Sequence, residues 1–346
     1  MKTRLKNLLL YFCLLPLSGC FHSDPTEDVF STYLDRLANV QDQDVVPFKA
    51  HSIPVLPEKR ELRVSIEDIR MGLLDAYELR KCGLFQLIAE RNSILGKVQD
   101  EFHVLHYEIN FSHTLKKCLV SSALREETRS ELLNIQSQKQ EQLLQRYWNT
   151  IVASEEWNKQ LQPFPIMLPI TQMHSSTPTL QAIRYFSDIQ LGITYDQLPT
   201  DVDTLFLHQR ALSKTRYLSQ LFYSLQHSTD WLTTATTQLK QHDKLIICGL
   251  NRNQTKAKYL QNIFFRFYIE QIQPYLAKLD SDYQEIKPHL ISMYQSEHQA
   301  NNVSFTPYYD YYIEGKIHEN FKQATIEHVR YWQSLFKRCN FTVGRQ

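Results

Sequence analysis

The densest group of chemically useful side chains lies at residues 90–97 and consists of Glu90, Arg91, Asn92, Ser93 and Lys97. An arginine can hold a carboxylate or a phosphate with two parallel hydrogen bonds, and a buried glutamate can act as a general base. The same residues also suit a helix end, where Arg91 and Lys97 meet unpaired carbonyls and Gly96 allows a turn. A binding pocket and a structural corner both stay open as interpretations.

No sequence motif in the chain names a reaction, because it has no Gly-rich phosphate loop, no Gly-x-Ser-x-Gly elbow and no His-Glu-x-x-His zinc helix. His103 and His106 have a spacing that can hold a metal, and so do Glu314 and His318. Such pairs are far more common on ordinary helix surfaces. We therefore predict no catalytic residue, no metal site and no cofactor.

The N-terminus has a pattern that predicts lipid attachment at a cysteine. Three basic residues are followed by a ten-residue apolar run, Leu8 to Leu17, and the run ends in Leu17-Ser18-Gly19-Cys20. A membrane-spanning helix needs about 20 residues, so the run suits a cleavable signal. The pattern resembles a bacterial lipoprotein signal cleaved before Cys20, with an ordinary secretory signal as the alternative.

Lipid attachment at Cys20 predicts the location of the protein. One acyl chain holds a protein only weakly, whereas a bacterial lipoprotein carries two or three and is firmly held. Phe21, rather than Asp, follows the cysteine, which by resemblance to sorted lipoproteins favours the outer membrane. We expect a Gram-negative protein on the periplasmic face, with the membrane as a partner through the lipid.

The charge balance excludes nucleic acid as a partner. The chain has 38 Lys and Arg, three of them in the signal, against 37 Asp and Glu, so the mature chain has a formal charge of −2. Nucleic-acid binding needs a basic field. Glycine is scarce, at 8 of 346 residues, while Leu, Gln, Glu and Lys are plentiful. This composition favours helices.

The cysteines predict two disulfides. Once the signal and Cys20 are set aside, four remain in an oxidising compartment, Cys82, Cys118, Cys248 and Cys339. Four cysteines allow three pairings, and we favour Cys82–Cys118 with Cys248–Cys339 because each pair stays within one half of the chain. Free buried thiols are the alternative, and zinc is disfavoured because no two of these cysteines have ligand spacing.

Apolar periodicity predicts an all-α protein, an antiparallel helical bundle with two packed lobes joined by a Pro-rich segment. A Pro-rich stretch at 47–57 predicts an extended strap, and Pro274 and Pro288 are expected to kink or split their helix. The helices are predicted at 27–39, 65–92, 101–120, 123–151, 155–161, 180–189, 205–239, 254–297 and 306–339.

The predicted organisation divides the chain into five parts. The best boundary is a run with four prolines, because prolines interrupt helices. The parts are the signal at 1–19, the lipidated N-terminus with its helix and strap at 20–64, a first lobe at 65–162, the Pro-rich linker at 163–178 and a second lobe at 179–346.

Several strings carry a resemblance to a known family. They are Arg70-Met71-Gly72-Leu73-Leu74-Asp75, Cys82-Gly83-Leu84 leading to Ile88-Ala89-Glu90-Arg91-Asn92-Ser93, Ala257-Lys258-Tyr259-Leu260 and Gln273-Pro274-Tyr275-Leu276. Together with the lipoprotein signal, the chain resembles a family of proteobacterial lipoproteins catalogued as domain of unknown function 3080. The resemblance covers nearly all of the mature chain and implies no activity, substrate or catalytic residue.

Two functions remain open from the sequence. The first is a non-enzymatic lipoprotein that binds an unknown envelope protein or the cell wall through a helical surface. The alternative is a small-ligand-binding protein or hydrolase with a polar pocket near Glu90–Lys97. A cleft with several convergent polar groups would favour the second function, and a continuous exposed apolar patch would favour the first.

Overall fold

In the computed structural model, residues 24–69, 78–171, 177–249 and 251–342 are described. Within these ranges the regular elements are all helical, which confirms the predicted all-α class. None of the described helices combines the length and the apolar character needed to cross a membrane. The predicted signal and Cys20 lie outside the described residues.

The helices are numbered in chain order. They are α1 (Pro25–Gln41), α2 (Lys59–Leu62), α3 (Leu84–Asn92), α4 (Ile94–Lys97), α5 (Glu101–Leu119), α6 (Glu126–Ala153), α7 (Glu155–Leu161), α8 (Thr177–Thr194), α9 (Thr204–Lys214), α10 (Tyr217–Gln241), α11 (Thr255–Ile263), α12 (Gln273–Tyr294), α13 (Glu297–Asn301), α14 (Thr306–Tyr308) and α15 (Lys316–Cys339). Two π-helical segments, π1 (Phe264–Ile272) and π2 (Tyr309–Glu314), precede α12 and α15, and short 3-10 turns lie at Leu79–Cys82 and Asp243–Leu245.

Helix α10 lies at the centre of the main core. It packs against α1, α7, α12 and α15, and most of its side chains are buried. Leu218, Leu221, Phe222 and Leu225 supply the apolar contacts. Many of its other buried side chains are polar, among them Asp230 and Gln238. Since a buried polar group without a partner is costly, α10 constrains the elements around it.

The polar side chains of α10 hold the strap of residues 42–58 in place. Gln238 Oε1 accepts a hydrogen bond from Val46 N at 2.7 Å. The Asp230 carboxylate accepts from His51 N at 3.2 Å and contacts His51 Nδ1 at 2.6 Å. The strap has no helix at these residues. The absence of helix agrees with the prolines of this segment, and its extended conformation stays a prediction.

A fully buried histidine joins three helices in the core. His328 Nε2 lies 2.9 Å from Tyr33 Oη on α1, and its Nδ1 lies 2.8 Å from Thr236 Oγ1 on α10. Trp332 Nε1 also donates to Tyr33 Oη at 3.1 Å. Burial lowers the pKa of His328 to about 3 because the apolar surroundings disfavour the charged ring. The imidazole therefore stays neutral and serves as a hydrogen-bonding group of the core.

A second, smaller core lies between α3, α5 and the first half of α6. It contains Leu84, Phe111, Leu115 and Leu132. The main core includes residues on both sides of the Pro-rich segment 163–178, such as Leu161 and Leu180. The division into two lobes at that segment stays a prediction.

The prediction of a helix that begins at residue 65 is wrong for the first part of that helix. Residues 63–69 are not helical, because the side chain of Asn149 on α6 binds both Val64 N and Val64 O at 2.8 Å and holds the chain extended. The next residues, 70–77, lie outside the described ranges. After the 3-10 turn, Gly83 has a left-handed backbone (φ 85°), and α3 begins only beyond it.

Two other long helices are each divided. The one predicted at 205–239 breaks between α9 and α10, where Gln160 Nε2 donates to Leu212 O and Thr215 O at 2.9 and 2.8 Å. The last one breaks at Gly315, whose φ of 119° favours glycine. The helices predicted at 101–120, 123–151 and 155–161 are confirmed to within a few residues.

Both predicted disulfides are confirmed. Cys82 bonds to Cys118 with a Cα–Cα distance of 5.2 Å, and Cys248 bonds to Cys339 with a Cα–Cα distance of 4.8 Å. The first joins the 3-10 turn before α3 to the last turn of α5, and the second closes α15 onto the chain before α11.

We expect the second disulfide to stabilise the protein slightly more than the first. A crosslink restricts the unfolded chain more when the loop is longer, and the two loops span 36 and 91 residues. The chain-entropy relation gives about 4 kcal/mol for the first bond and about 5 kcal/mol for the second. Urea unfolding of the Cys82→Ser/Cys118→Ser and Cys248→Ser/Cys339→Ser proteins measures this. Peptides joining Cys82 to Cys248 in a non-reducing map would contradict the pairing.

Candidate functional site

A cavity of about 650 Å³ lies between α3, α5 and α6, next to the corner singled out in the sequence. We call it the cationic cavity. Its walls are formed by Asp68, Ile69, Ile88, Arg91, Asn92, Lys97, Tyr107, Glu108, Phe111, Ile135, Lys139, Gln142 and Arg146.

Basic side chains outnumber acidic ones around the cationic cavity. Four cations line it, Arg91, Lys97, Lys139 and Arg146, against two carboxylates, Asp68 and Glu108. Asp68 and Lys97 are exposed, whereas Glu108 is buried, with 5% of its surface accessible. The formal charge of the lining is therefore +2, although the whole chain has a formal charge of only +1.

Glu108 is the buried acid of the cavity and is paired with two cations. Lys139 Nζ donates to both of its carboxylate oxygens, at 2.8 and 2.9 Å. Arg146 Nε lies 3.8 Å from Glu108 Oε1, which is an ion pair but too long for a hydrogen bond. Burial lowers the pKa of Arg146, and the negative charge of Glu108 opposes that shift.

Two buried polar atoms in the wall have no hydrogen-bond partner among the described residues. They are Arg146 Nε and Gln142 Oε1. The other end of the Gln142 amide is used, since its Nε2 donates to Glu67 O at 2.7 Å. A buried donor or acceptor without a partner costs about 1–3 kcal/mol. A ligand could recover part of that cost only if these side chains moved, because both atoms are buried.

Aromatic rings face the cations. The Arg91 guanidinium carbon lies 5.9 Å from the centre of the Tyr107 ring, and Lys139 Nζ lies 5.1 Å from the centre of the Phe111 ring. Such contacts stabilise a cation by about 0.5–2 kcal/mol. Burial, followed by the charge of Glu108, raises the pKa of Tyr107 well above its usual range. The tyrosine therefore keeps its proton and can donate a hydrogen bond.

The corner between α3 and α4 holds Arg91 beside the cavity. Ser93 Oγ donates to Glu90 O at 2.7 Å and accepts from Gly96 N at 3.1 Å, and Arg91 donates to Gly96 O. Glycine is needed at position 96 because the backbone of α3 lies very close to it, and not because of an unusual backbone angle. A Cβ there would lie 2.3 Å from Glu90 O and 2.5 Å from Arg91 O.

The structure separates the residues singled out in the sequence into two groups. Arg91, Asn92 and Lys97 line the cationic cavity, whereas Glu90 and Ser93 do not. Glu90 is exposed, so it lacks the burial that a general base in this corner would need.

Sequence reasoning missed the α5 and α6 residues, because Lys139 lies 31 residues from Glu108. One signal was present, since Glu108 falls between Leu105 and Ile109 on the buried face of α5. A charged residue on a buried face needs a partner.

The histidine pairs considered for metal binding are bonded to carboxylates instead. His103 Nδ1 lies 2.8 Å from Asp100 Oδ1, His106 Nε2 lies 2.9 Å from Asp203 Oδ1, and His318 Nε2 lies 2.6 Å from Asp280 Oδ1. Within the described ranges, no three His, Cys, Asp or Glu side chains are grouped so that they could hold a metal ion.

We expect Gly96→Ala to destabilise the protein by about 1–3 kcal/mol, as overpacking does when backbone atoms must move. The matched control is Asn92→Ala, whose exposed side chain lies four residues earlier. Urea unfolding of the two variants measures the difference. A Gly96→Ala protein as stable as the control would mean that the close approach at this corner does not support the fold.

Comparison with known proteins agrees with the resemblance noted in the sequence. Neither curated proteins nor solved structures give a match. A family model described as "Protein of unknown function (DUF3080)" matches residues 30–343 and so includes the cationic cavity, both disulfides and the central helix α10. The chain therefore belongs to the DUF3080 family.

Proposed function

We propose that this protein is a lipid-anchored envelope protein that binds a small organic anion in the cationic cavity. The observation that carries the proposal is the surplus of cations around one cavity, four against two carboxylates, in a wall with two unpartnered polar atoms. This favours the ligand-binding function of the two considered from the sequence. Docking on an envelope partner through a helical surface stays a prediction.

The lining indicates a ligand with a charged end and an apolar body. Arg91 and Arg146 can each form a two-pronged contact with a phosphate or carboxylate. Ile88, Tyr107, Phe111 and the buried Ile135 offer apolar surface on the same cavity. Small-molecule sites combine apolar surface with convergent polar groups, and in this cavity the polar and charged side chains make up most of the lining.

The formal charge of the lining favours a dianion. With Glu108 ionised, the surplus is two positive charges, which a phosphate monoester matches and a single carboxylate does not. Glu108 has both oxygens held by Lys139, so it keeps that cation in place before a ligand arrives. This arrangement supports binding rather than hydrolysis, since the carboxylate is committed to an ion pair and is not directed at a water molecule.

We expect phenyl phosphate to bind more tightly than phenol, which has the same ring without the charge. Arg146→Gln should weaken phenyl phosphate binding by about tenfold or more, since a hydrogen bond to a charged group contributes about 1.5–3 kcal/mol. Glu108→Gln should strengthen it, because a negative charge leaves the wall. Isothermal titration calorimetry at low salt measures both effects.

The matched control for Arg146→Gln is Lys117→Gln. It changes the net charge equally, and its exposed side chain on α5 lies outside the cavity. Melting temperatures of all the proteins separate loss of fold from loss of binding. Equal affinity for phenol and phenyl phosphate, or unchanged binding by a folded Arg146→Gln protein, would contradict the proposed site.

The anchor is supported by the sequence at residues 17–20, and Phe21 supports the outer membrane as its location. We expect Cys20→Ala to abolish acylation, because the thiol is the site of lipid attachment. Cys13→Ala is the matched control, since Cys13 lies within the apolar run and not at the cleavage site. Labelling cells with a clickable fatty acid tests this. Equal label on the wild type and on Cys20→Ala would remove the lipid anchor from the proposal.

A further inference from the structure

A second cavity, of about 620 Å³, lies beside the beginning of α1. We call it the tether cavity and define it by the buried residues Leu168, Tyr217, Tyr275 and Leu279 in its floor and by Ala277 and Lys278 at its exposed rim. The last turn of π1 also borders it. Widely wound segments of this kind are frequent at functional sites.

The beginning of α1 is fastened to the wall of the tether cavity. Met167 N donates to Asp24 Oδ2 at 2.7 Å, just before Leu168. Thr26 Oγ1 donates to Leu168 O and accepts from Ile170 N, both at 3.0 Å. Leu168 and Ile170 are themselves part of the wall. The cavity wall is therefore held next to Asp24 at the beginning of α1.

The chain between the anchor and the tether cavity is short. Asp24 follows Cys20 by four residues, and each residue spans at most about 3.6 Å, so Asp24 lies within about 14 Å of the lipidated cysteine. If Cys20 carries lipid, as the proposed function holds, the cavity must lie close to the bilayer surface. The following inference rests on that anchor.

The chemistry of the cavity suits a hydrocarbon chain. Its one buried charge is already met, because the Asp282 carboxylate accepts hydrogen bonds from Tyr217 Oη and from Lys278 Nζ. The rest of the floor is aliphatic or aromatic, whereas the exposed part of the lining also includes the carboxylate of Glu270. Lys278 is half exposed at the rim, and an ammonium group has three donors, so it can also reach a headgroup phosphate.

We propose that the tether cavity takes one acyl chain of a membrane phospholipid, with the headgroup phosphate at Lys278. The short tether keeps the cavity near the membrane, and the floor replaces the apolar surroundings that the chain has in the bilayer. The phosphate contact at Lys278 adds the attraction that holds a lipid there. The site is separate from the cationic cavity and shares none of its residues.

Photocrosslinking of the full chain in intact cells tests this inference. A benzophenone amino acid replaces Ala277 at the rim or, as the matched control, Gln284, which is exposed on the same face of α12 two turns further along and outside the cavity. We expect phospholipid adducts at 277 to exceed those at 284 roughly tenfold, because a bound chain stays within reach of the probe. Lys278→Gln should lower the yield at 277.

The outcomes distinguish a wrong assignment of the lipid site from a wrong assignment of the lipid anchor. Fatty-acid labelling of Cys20 is measured in the same cells. Equal phospholipid adducts at 277 and 284 would mean general membrane contact and would overturn the inference. A crosslink from 277 to the acylated Cys20 peptide would also overturn it, since the chain's own lipid would then be the occupant. If Cys20 carries the fatty-acid label but no phospholipid adduct forms at 277, the lipid site in the cavity is wrong and the anchor stands. If Cys20 carries no label, the lipid anchor is wrong and the inference fails with it.

Discussion

The fold depends on the need to satisfy the polar side chains of a helix that lies inside the core. Asp230 of α10 is 1% exposed, and Gln238 and Ser224 are fully buried. An unpartnered buried group costs about 1–3 kcal/mol, and a charged one costs more. Their partners come from distant parts of the chain, the strap at 42–58, the segment before Pro169 and Gln41 at the end of α1. These segments therefore converge on α10, and two of them, the strap and the segment before Pro169, are not helical.

The two cavities differ in how they relate to this core. The cationic cavity lies beside the smaller core of α3, α5 and α6, away from the network around α10. Charges are tolerated there because Glu108 pairs with Lys139, and removal of one partner would leave a costly buried charge. The tether cavity lies against the main core, and the floor it presents is mostly apolar. The protein thus places a site suited to anions and a site suited to a hydrocarbon chain in different parts of one fold.

The sequence predicted those features that depend on local patterns. Apolar periodicity predicted α5, α6 and α7, and compartment and spacing predicted both disulfides. The failures have two kinds of cause, contacts between distant residues and a local signal that is ambiguous. The helix start at residue 65 was overridden by Asn149, which lies 85 residues from Val64. The break at Gly315 was hidden because one glycine within a helical pattern is tolerated. At the cationic cavity the sequence indicated Arg91 and Lys97, but the partners on α5 and α6 meet them only in the folded protein.

A cavity with this surplus of cations should hold an organic anion in the cell. The most direct measurement isolates the protein and its Arg146→Gln and Lys117→Gln variants from cells, releases bound small molecules by denaturation and identifies them by mass spectrometry. We expect an anion with an apolar body to be released from the wild type and from Lys117→Gln and to be depleted from a folded Arg146→Gln protein. Release of the same molecules in equal amounts from all three proteins would contradict it.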